Sequence, residues 1–162
     1  NQAYRNGHPT FFRVSDHPNT DYDVDVTFGK ANVIQTGHLA TVVVVSVMLD
    51  EVMKVCKDKD VTVLYYTTLE PFDYETLAKH CPSGKVLVVE PEYEGTLLYD
   101  IYRALPGRAL QIEQVAFPRE IFRNYGTYSE KMSHYGLTRS AIEIAVDRLQ
   151  NAINRSKENV YR

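Results

Sequence analysis

The sequence predicts an α/β fold, a mostly parallel sheet covered by helices. Three short apolar runs, Thr41–Val45, Val61–Tyr66 and Lys85–Val89, lack the polar alternation of a half-exposed strand. Such runs suit strands buried on both faces. The segments between them carry apolar residues at helical spacing. Strand, helix and strand in that order make βαβ units with right-handed crossovers.

Size and composition fit one domain. The chain has 162 residues, 44% hydrophobic and 24% charged, enough to bury a core. The net charge is −3 and the basic residues are dispersed, against the clustered patch of a nucleic-acid surface. No apolar run reaches membrane-spanning length, so neither nucleic acid nor membrane is an expected partner. The start, NQAYRNGHPT, lacks the basic-then-apolar order of a signal peptide. Cys56 and Cys81 have no CxxC spacing and read as two reduced thiols of a cytoplasmic protein. The chain begins at Asn1 with no Met, and its opening looks like a helix tail running into a strand. A piece of a longer protein is therefore expected.

Thr10–Ser15 is a short strand candidate. Asp16–Asp25 (DHPNTDYDVD) is rich in turn formers without periodicity and reads as a linker. Residues 1–25 would then be the end of a preceding domain plus a linker, with the main domain at 26–162. Lys30–Gln35 and Ala40–Val45 flank TGHL, which suggests a hairpin whose first strand runs antiparallel to the rest. Val47–Lys57 reads as an amphipathic helix with Ser46 as its N-cap. Val61–Tyr66 is the next strand. Asp73 caps a helix over Tyr74–His80. After Lys85–Val89, a helix covers about Thr96–Leu105, and Leu110–Val115 is the last strand. Phe117–Gly126 is a loop. Capping boxes at Thr127–Glu130 and Ser140–Glu143 start two final helices. Beyond Asn151 the tail turns polar and is expected to fray.

Catalytic motifs are sparse. The five histidines form neither HxxxH nor a His–Cys cluster. No GxGxxG, GxxxxGK[ST] or GxSxG is present. The carboxylates of Glu90, Glu92 and Glu94, and of Asp21, Asp23 and Asp25, read as solvated surface. Tyr125, Tyr128 and Tyr135 could line an interface. Strand C-terminal ends are where open α/β sheets bind ligands, so Ser46 and the Thr67–Asp73 loop are candidate lining residues for a small ligand. No catalytic, cofactor-binding or metal-ligating residue is assigned.

Five stretches, in order, resemble the C-terminal part of the transketolase family. Pro9-Thr-Phe-Phe-Arg-Val-Ser is similar to the P-x-Y-I-R-L-S strand that ends the middle, pyrimidine-binding domain. Phe28-Gly-Lys-Ala-Asn-Val-Ile-Gln-Thr-Gly resembles F-x-x-G-K-A-x-V-L-x-x-G. Thr67-Thr-Leu-Glu-Pro-Phe-Asp resembles P-T-I-K-P-L-D. Val88-Val-Glu-Pro-Glu-Tyr-Glu-Gly resembles V-x-V-E-E-H-x-x-x-G-G-L, without its histidine and second glycine. Tyr135-Gly-Leu-Thr-Arg-Ser-Ala-Ile resembles Y-G-L-x-x-x-x-I.

The resemblance implies a three-layer α/β/α domain with a mixed, mostly parallel five-stranded sheet and one antiparallel strand. It implies that the complete enzyme uses thiamine diphosphate and Mg to move two-carbon ketol units between sugar phosphates. The cofactor would lie between the first and middle domains, at a homodimer interface. This chain would serve packing and dimer assembly, inactive alone, with the thiamine-binding domains as its partners. Where the family has a phosphate-holding arginine, this chain has Asp16, a candidate substrate-binding position whose charge repels phosphate. That departure keeps other thiamine enzymes open: 1-deoxyxylulose-5-phosphate synthase, dihydroxyacetone synthase or a 2-oxo acid dehydrogenase beta-subunit. A free-standing module for a small ligand is the alternative of another class.

Overall fold

The computed structural model describes residues 7–123 and 125–158. Five strands form one sheet: β1 (Asn32–Gln35), β2 (Ala40–Val45), β3 (Val61–Tyr66), β4 (Lys85–Tyr93) and β5 (Gln111–Phe117). Their spatial order is β1-β3-β2-β4-β5. β1 is antiparallel to β3, and every other pairing is parallel. The helices are α1 (Leu49–Cys56), α2 (Tyr74–His80), α3 (Leu98–Ala104), α4 (Tyr128–His134) and α5 (Arg139–Glu158). Among the described residues, no helix is long and apolar enough to cross a membrane.

Strand alternation sorts the apolar side chains into two cores. Val42, Val44, Val63, Leu87 and Val89 meet α1 and α5 through Val52, Ile142, Val146 and Leu149. Val43, Leu64, Tyr66, Val86 and Val88 meet α2 and α3 through Leu77, Ile101 and Leu105. Helices thus cover both faces of the sheet, and the three-layer expectation holds. β2 sits in the middle, all six residues buried.

The antiparallel strand is present, but the expected hairpin is not. β1 pairs with β3, with Asn32 opposite Tyr65 and Val33 opposite Leu64. The TGHL segment is not a two-strand turn; it crosses the start of β3. There the Gly37 N–H donates to Thr62 Oγ1 at 3.0 Å, Thr62 Oγ1 donates back to the Gly37 carbonyl at 2.9 Å, and the Leu39 N–H donates to the Asp60 carbonyl. Gln35 Nε2 adds three bonds, to the carbonyls of Cys56, Lys59 and Val61. These bonds place β3 between β1 and β2.

Other local expectations shift for local reasons. Thr10–Ser15 is not a strand: among the described residues no strand runs beside it, and Phe11 and Val14 are 90% and 88% exposed. The 16–25 stretch is irregular as expected, yet residues 19–22 bond to the β2–α1 corner, as described below. β4 runs four residues past Val89, through a register shift between Val89 and Tyr93. Asp73 caps α2 as expected, accepting from the Thr76 N–H at 3.2 Å. The Thr127–Glu130 box forms in full. The cap of α5 is Thr138 and not Ser140, because the Ala141 N–H donates to Thr138 Oγ1 and Ser140 already lies inside the helix. Of the expectations beyond these limits, the helix tail at residues 1–6 falls outside the described residues, as does the end of the polar tail at 159–162.

Both cysteines are free and buried, as expected. Burial pushes the Cys56 thiol up to about 11, which leaves it un-ionised and unreactive at neutral pH.

Gly37 is a steric requirement. A Cβ there would sit 2.3 Å from the Val61 nitrogen and 2.5 Å from the Asp60 carbonyl carbon, both backbone. Gly37→Ala should lower stability by about 3 kcal/mol, the upper range for overpacking, measured by urea denaturation. Unchanged stability would show that the crossing over β3 is looser than described.

Candidate functional site

The sheet order creates one crevice at the strand C-terminal ends. From β2 the chain goes to β3 on one side, and then back across to β4 on the other. Neighbouring connections diverge there, the place where open α/β sheets bind ligands. Ser46 follows β2 directly, and Pro91 lies on the far end of β4. Both line a cavity of about 490 Å³ between them.

Ser46 is not the N-cap of α1. Its φ is +57°, a left-handed conformation unusual for a residue with a side chain. It opens a 3-10 turn, Ser46–Met48, that precedes α1. The capping work falls to a residue outside the helix. Asn19 Oδ1 accepts from the Asp50 N–H at 3.3 Å, and Asn19 Nδ2 donates to the Ser46 carbonyl at 2.7 Å and to Tyr65 Oη at 3.2 Å. Asp50 returns the attachment. Its carboxylate accepts from the Thr20 N–H, Thr20 Oγ1 and Tyr22 Oη, the last at 2.7 Å. Burial works against the ionised form of Asp50, but these donors outweigh it and hold its pKa below the usual value. Burial and the Asp50 carboxylate push the Tyr22 hydroxyl up to about 12. The strained serine is thus held from both sides.

The cavity has an aromatic wall and a polar rim. Phe117, Phe122 and Tyr128 form the wall. Phe122 packs between Phe117 (centroids 5.0 Å apart) and Tyr135 (4.4 Å), and His17 lies over Tyr128 at 4.3 Å. Arg13, Asp16, Ser46 and Lys131 supply the rim. Arg13 Nη1 donates to the Pro91 carbonyl at 3.1 Å and pairs with Glu92. Asp16 lies 3.6 Å from His17 Nε2.

Asp16 and Ser46, both singled out in the sequence, therefore lie together on this rim. The Thr67–Asp73 loop does not join them. It faces β1 instead: the Gly29 N–H donates to Thr68 Oγ1, and the Ala31 N–H donates to Asp73. Tyr128 and Tyr135 are half-buried in the aromatic cluster, whereas Tyr125 is fully exposed and apart from it. No sequence motif marks Arg13, Lys131 or Phe122: Arg13 lies far from the other two, and Phe122 and Lys131 sit in a loop and in α4. The positive φ of Ser46 has no sequence signal either, since Gly or Asn is the usual mark of that conformation.

Glu90 departs most from expectation. It is 0% exposed, not solvated, and neither oxygen has a hydrogen-bond partner among the described residues. It continues the Val86–Val88 side of β4, beneath the start of α3. Burial pushes its pKa up to about 7; the Leu97 backbone N–H leans toward it and offsets part of that shift without reaching hydrogen-bonding geometry. Among the described residues no group of three or more His, Cys, Asp or Glu is arranged to hold a metal ion.

No family model matches this chain, and no curated protein matches it. Among solved structures, its fold matches one titled "Split gene transketolase, inactive beta4 tetramer". The TM-score is 0.68 at 20% identity, over 82% of this chain and 45% of that one. The chain has a transketolase-type fold. It spans less than half the length of the chain it matches. The mixed five-stranded sheet, with one antiparallel edge strand, is the sheet expected of the C-terminal domain.

Glu90 generates a pH dependence with a definite sign. Its ordinary pKa is 4.5 and its native value about 7. Between those values the unfolded chain has released this proton and the native protein keeps it, so stability falls as pH rises through that window and levels off above it. The loss should be about 3 kcal/mol at 1.36 kcal/mol per pKa unit. Glu90→Gln should flatten the difference between pH 5 and pH 8 in urea denaturation. An equal slope in both proteins would mean that Glu90 titrates normally.

Proposed function

We propose that this chain is the C-terminal domain of a transketolase-like, thiamine diphosphate-dependent enzyme. The whole enzyme transfers two-carbon ketol units between sugars. Residues 26–162 form the domain, and residues 1–25 are the end of the preceding domain and the linker. The domain contributes packing and homodimer assembly, in the cytoplasm, and the thiamine-binding domains contribute the chemistry. The observation that carries this reading is the fold match, joined to the order of the five resembling stretches.

The exposed segment supports the same role. Phe11, Phe12 and Val14 hold no place in either core, and at 90%, 60% and 88% exposure they are ready to be covered by a neighbour. Apolar groups set out in this way mark a contact surface. The cofactor belongs elsewhere in the enzyme. A diphosphate at the β4–α3 turn would face the carboxylates of Glu92 and Glu94, and that turn carries one glycine, Gly95. When bound in the complete enzyme, thiamine diphosphate supplies the carbanion chemistry of ketol transfer. This chain's residues orient and seal, with none assigned to the cofactor.

Two experiments test the reading. Co-expressed with the thiamine-binding domains of its own enzyme, the chain should co-purify with them, and Phe11→Ser/Phe12→Ser should abolish that while leaving the melting temperature of the chain unchanged. Failure of the wild-type chain to co-purify, or tight Mg-dependent binding of thiamine diphosphate to the chain alone in calorimetry, would overturn the domain assignment. The second concerns Asp16. In the complete enzyme, Asp16→Arg should raise the ratio of phosphorylated to free sugar turnover by about 10-fold, the scale of one charge-assisted hydrogen bond. An unchanged ratio would remove Asp16 from the substrate path.

A further inference from the structure

We propose that the crevice between Ser46 and Pro91 is a binding site for a small organic anion, a flat ring bearing one phosphate or carboxylate group. This does not rest on the transketolase reading and would hold for a free-standing domain.

The cavity has room for such a molecule, about 490 Å³, within the range of small-molecule sites. Its aromatic wall of Phe117, Phe122 and Tyr128 suits a flat ring, which stacks on aromatic faces. Its rim suits an anion, because the cationic donors there have capacity left over. Lys131 is exposed, and its ammonium has no bond or ion pair among the described residues. Arg13 makes both of its contacts through Nη1, leaving Nη2 and Nε for another acceptor. The Ser46 hydroxyl also bonds to nothing among the described residues. Two carboxylates of opposite sign stand there: Asp16, 3.6 Å from His17 Nε2, and Glu92, whose charge is already met by Arg13 Nη1.

The backbone at Ser46 points the same way. A left-handed serine is strained relative to ordinary geometry, and residues held so cluster at functional sites. Here Asn19 grips the Ser46 carbonyl, and α1 is capped by Asn19, so the strained turn is not needed to start the helix. What the turn does achieve is to set Ser46 at the mouth of the cavity, on the end of the most buried strand. Four elements from separate parts of the chain meet there: the 13–16 segment, the β2 end, the β5 end and α4.

Phenyl phosphate is the probe, with inorganic phosphate and phenol as controls, each titrated into the isotope-labelled 162-residue chain and followed by amide NMR shifts. Phenyl phosphate should saturate with a Kd of about 1 mM or tighter, the scale for a ligand of this size. The shifts should centre on Val47, Phe122, Tyr128 and Lys131. Lys131→Gln and Ser46→Ala should each weaken binding about 5-fold or more while the rest of the spectrum stays unchanged. Three results would overturn the proposal: no saturable shifts at these residues, equal affinity in Lys131→Gln, or inorganic phosphate binding as tightly as phenyl phosphate. The last would leave a surface cation that attracts any anion. Co-purification with the thiamine-binding domains is read separately, so either proposal can fail while the other stands.

Discussion

The structure depends on β2 being apolar on both faces. Val42 and Val44 point into one core and Val43 and Val45 into the other, and every residue of the strand is buried. A strand of this kind cannot tolerate water on either side, so helices must cover both faces and other strands must flank both edges. β3 takes one edge in register from Ala40 to Val45, and β4 takes the other from Thr41 to Val44. Divergence of the chain around β2 follows, and with it the crevice at the strand ends. The site is thus a by-product of burying valines.

Much of this was legible in the residues. Unbroken apolar runs gave β2, β3 and the first part of β4, because a fully buried strand has no polar phase to hide it. Asp73 and the Thr127–Glu130 pair marked helix starts, since a cap is a local bond between close neighbours in sequence. Neighbour relations were less legible. The four residues after Gln35 suit a hairpin, and only Gln35 Nε2 reaching three carbonyls, together with Gly37 lying against the Val61 backbone, shows why β3 enters between β1 and β2. Nothing local announces such bonds.

The site was least legible where it matters most. Asp16 stands out only through the family resemblance, as a carboxylate where an arginine is expected, and its place is on the rim. Ser46 is legible as a residue at a strand C-terminal end, whereas Arg13 and Lys131 are brought to the rim by tertiary structure alone. Asn19 looked like one more turn former in an Asp-, Asn- and Pro-rich stretch, yet it caps a helix that begins thirty positions further on. Glu90 looked solvated because alternating glutamates usually are. Its burial comes from the extension of β4 past Val89, which draws it under α3. In each case a long-range contact overrode a sound local expectation.

The strand order also governs how this chain can be made. When β2 leaves the ribosome, both of its faces and both of its edges are bare. Its first partner, β3, follows soon after, but the second edge must wait for β4, from position 41 to its partner at position 86. Until then the valines of Ala40–Val45 form a sticky, unpaired ribbon, the kind of species that aggregates during synthesis. The antiparallel β1 cannot protect them, because its own place is beside β3. Slow synthesis between positions 45 and 86, or a chaperone holding that stretch, would matter more to the yield of this protein than any single contact in its finished core.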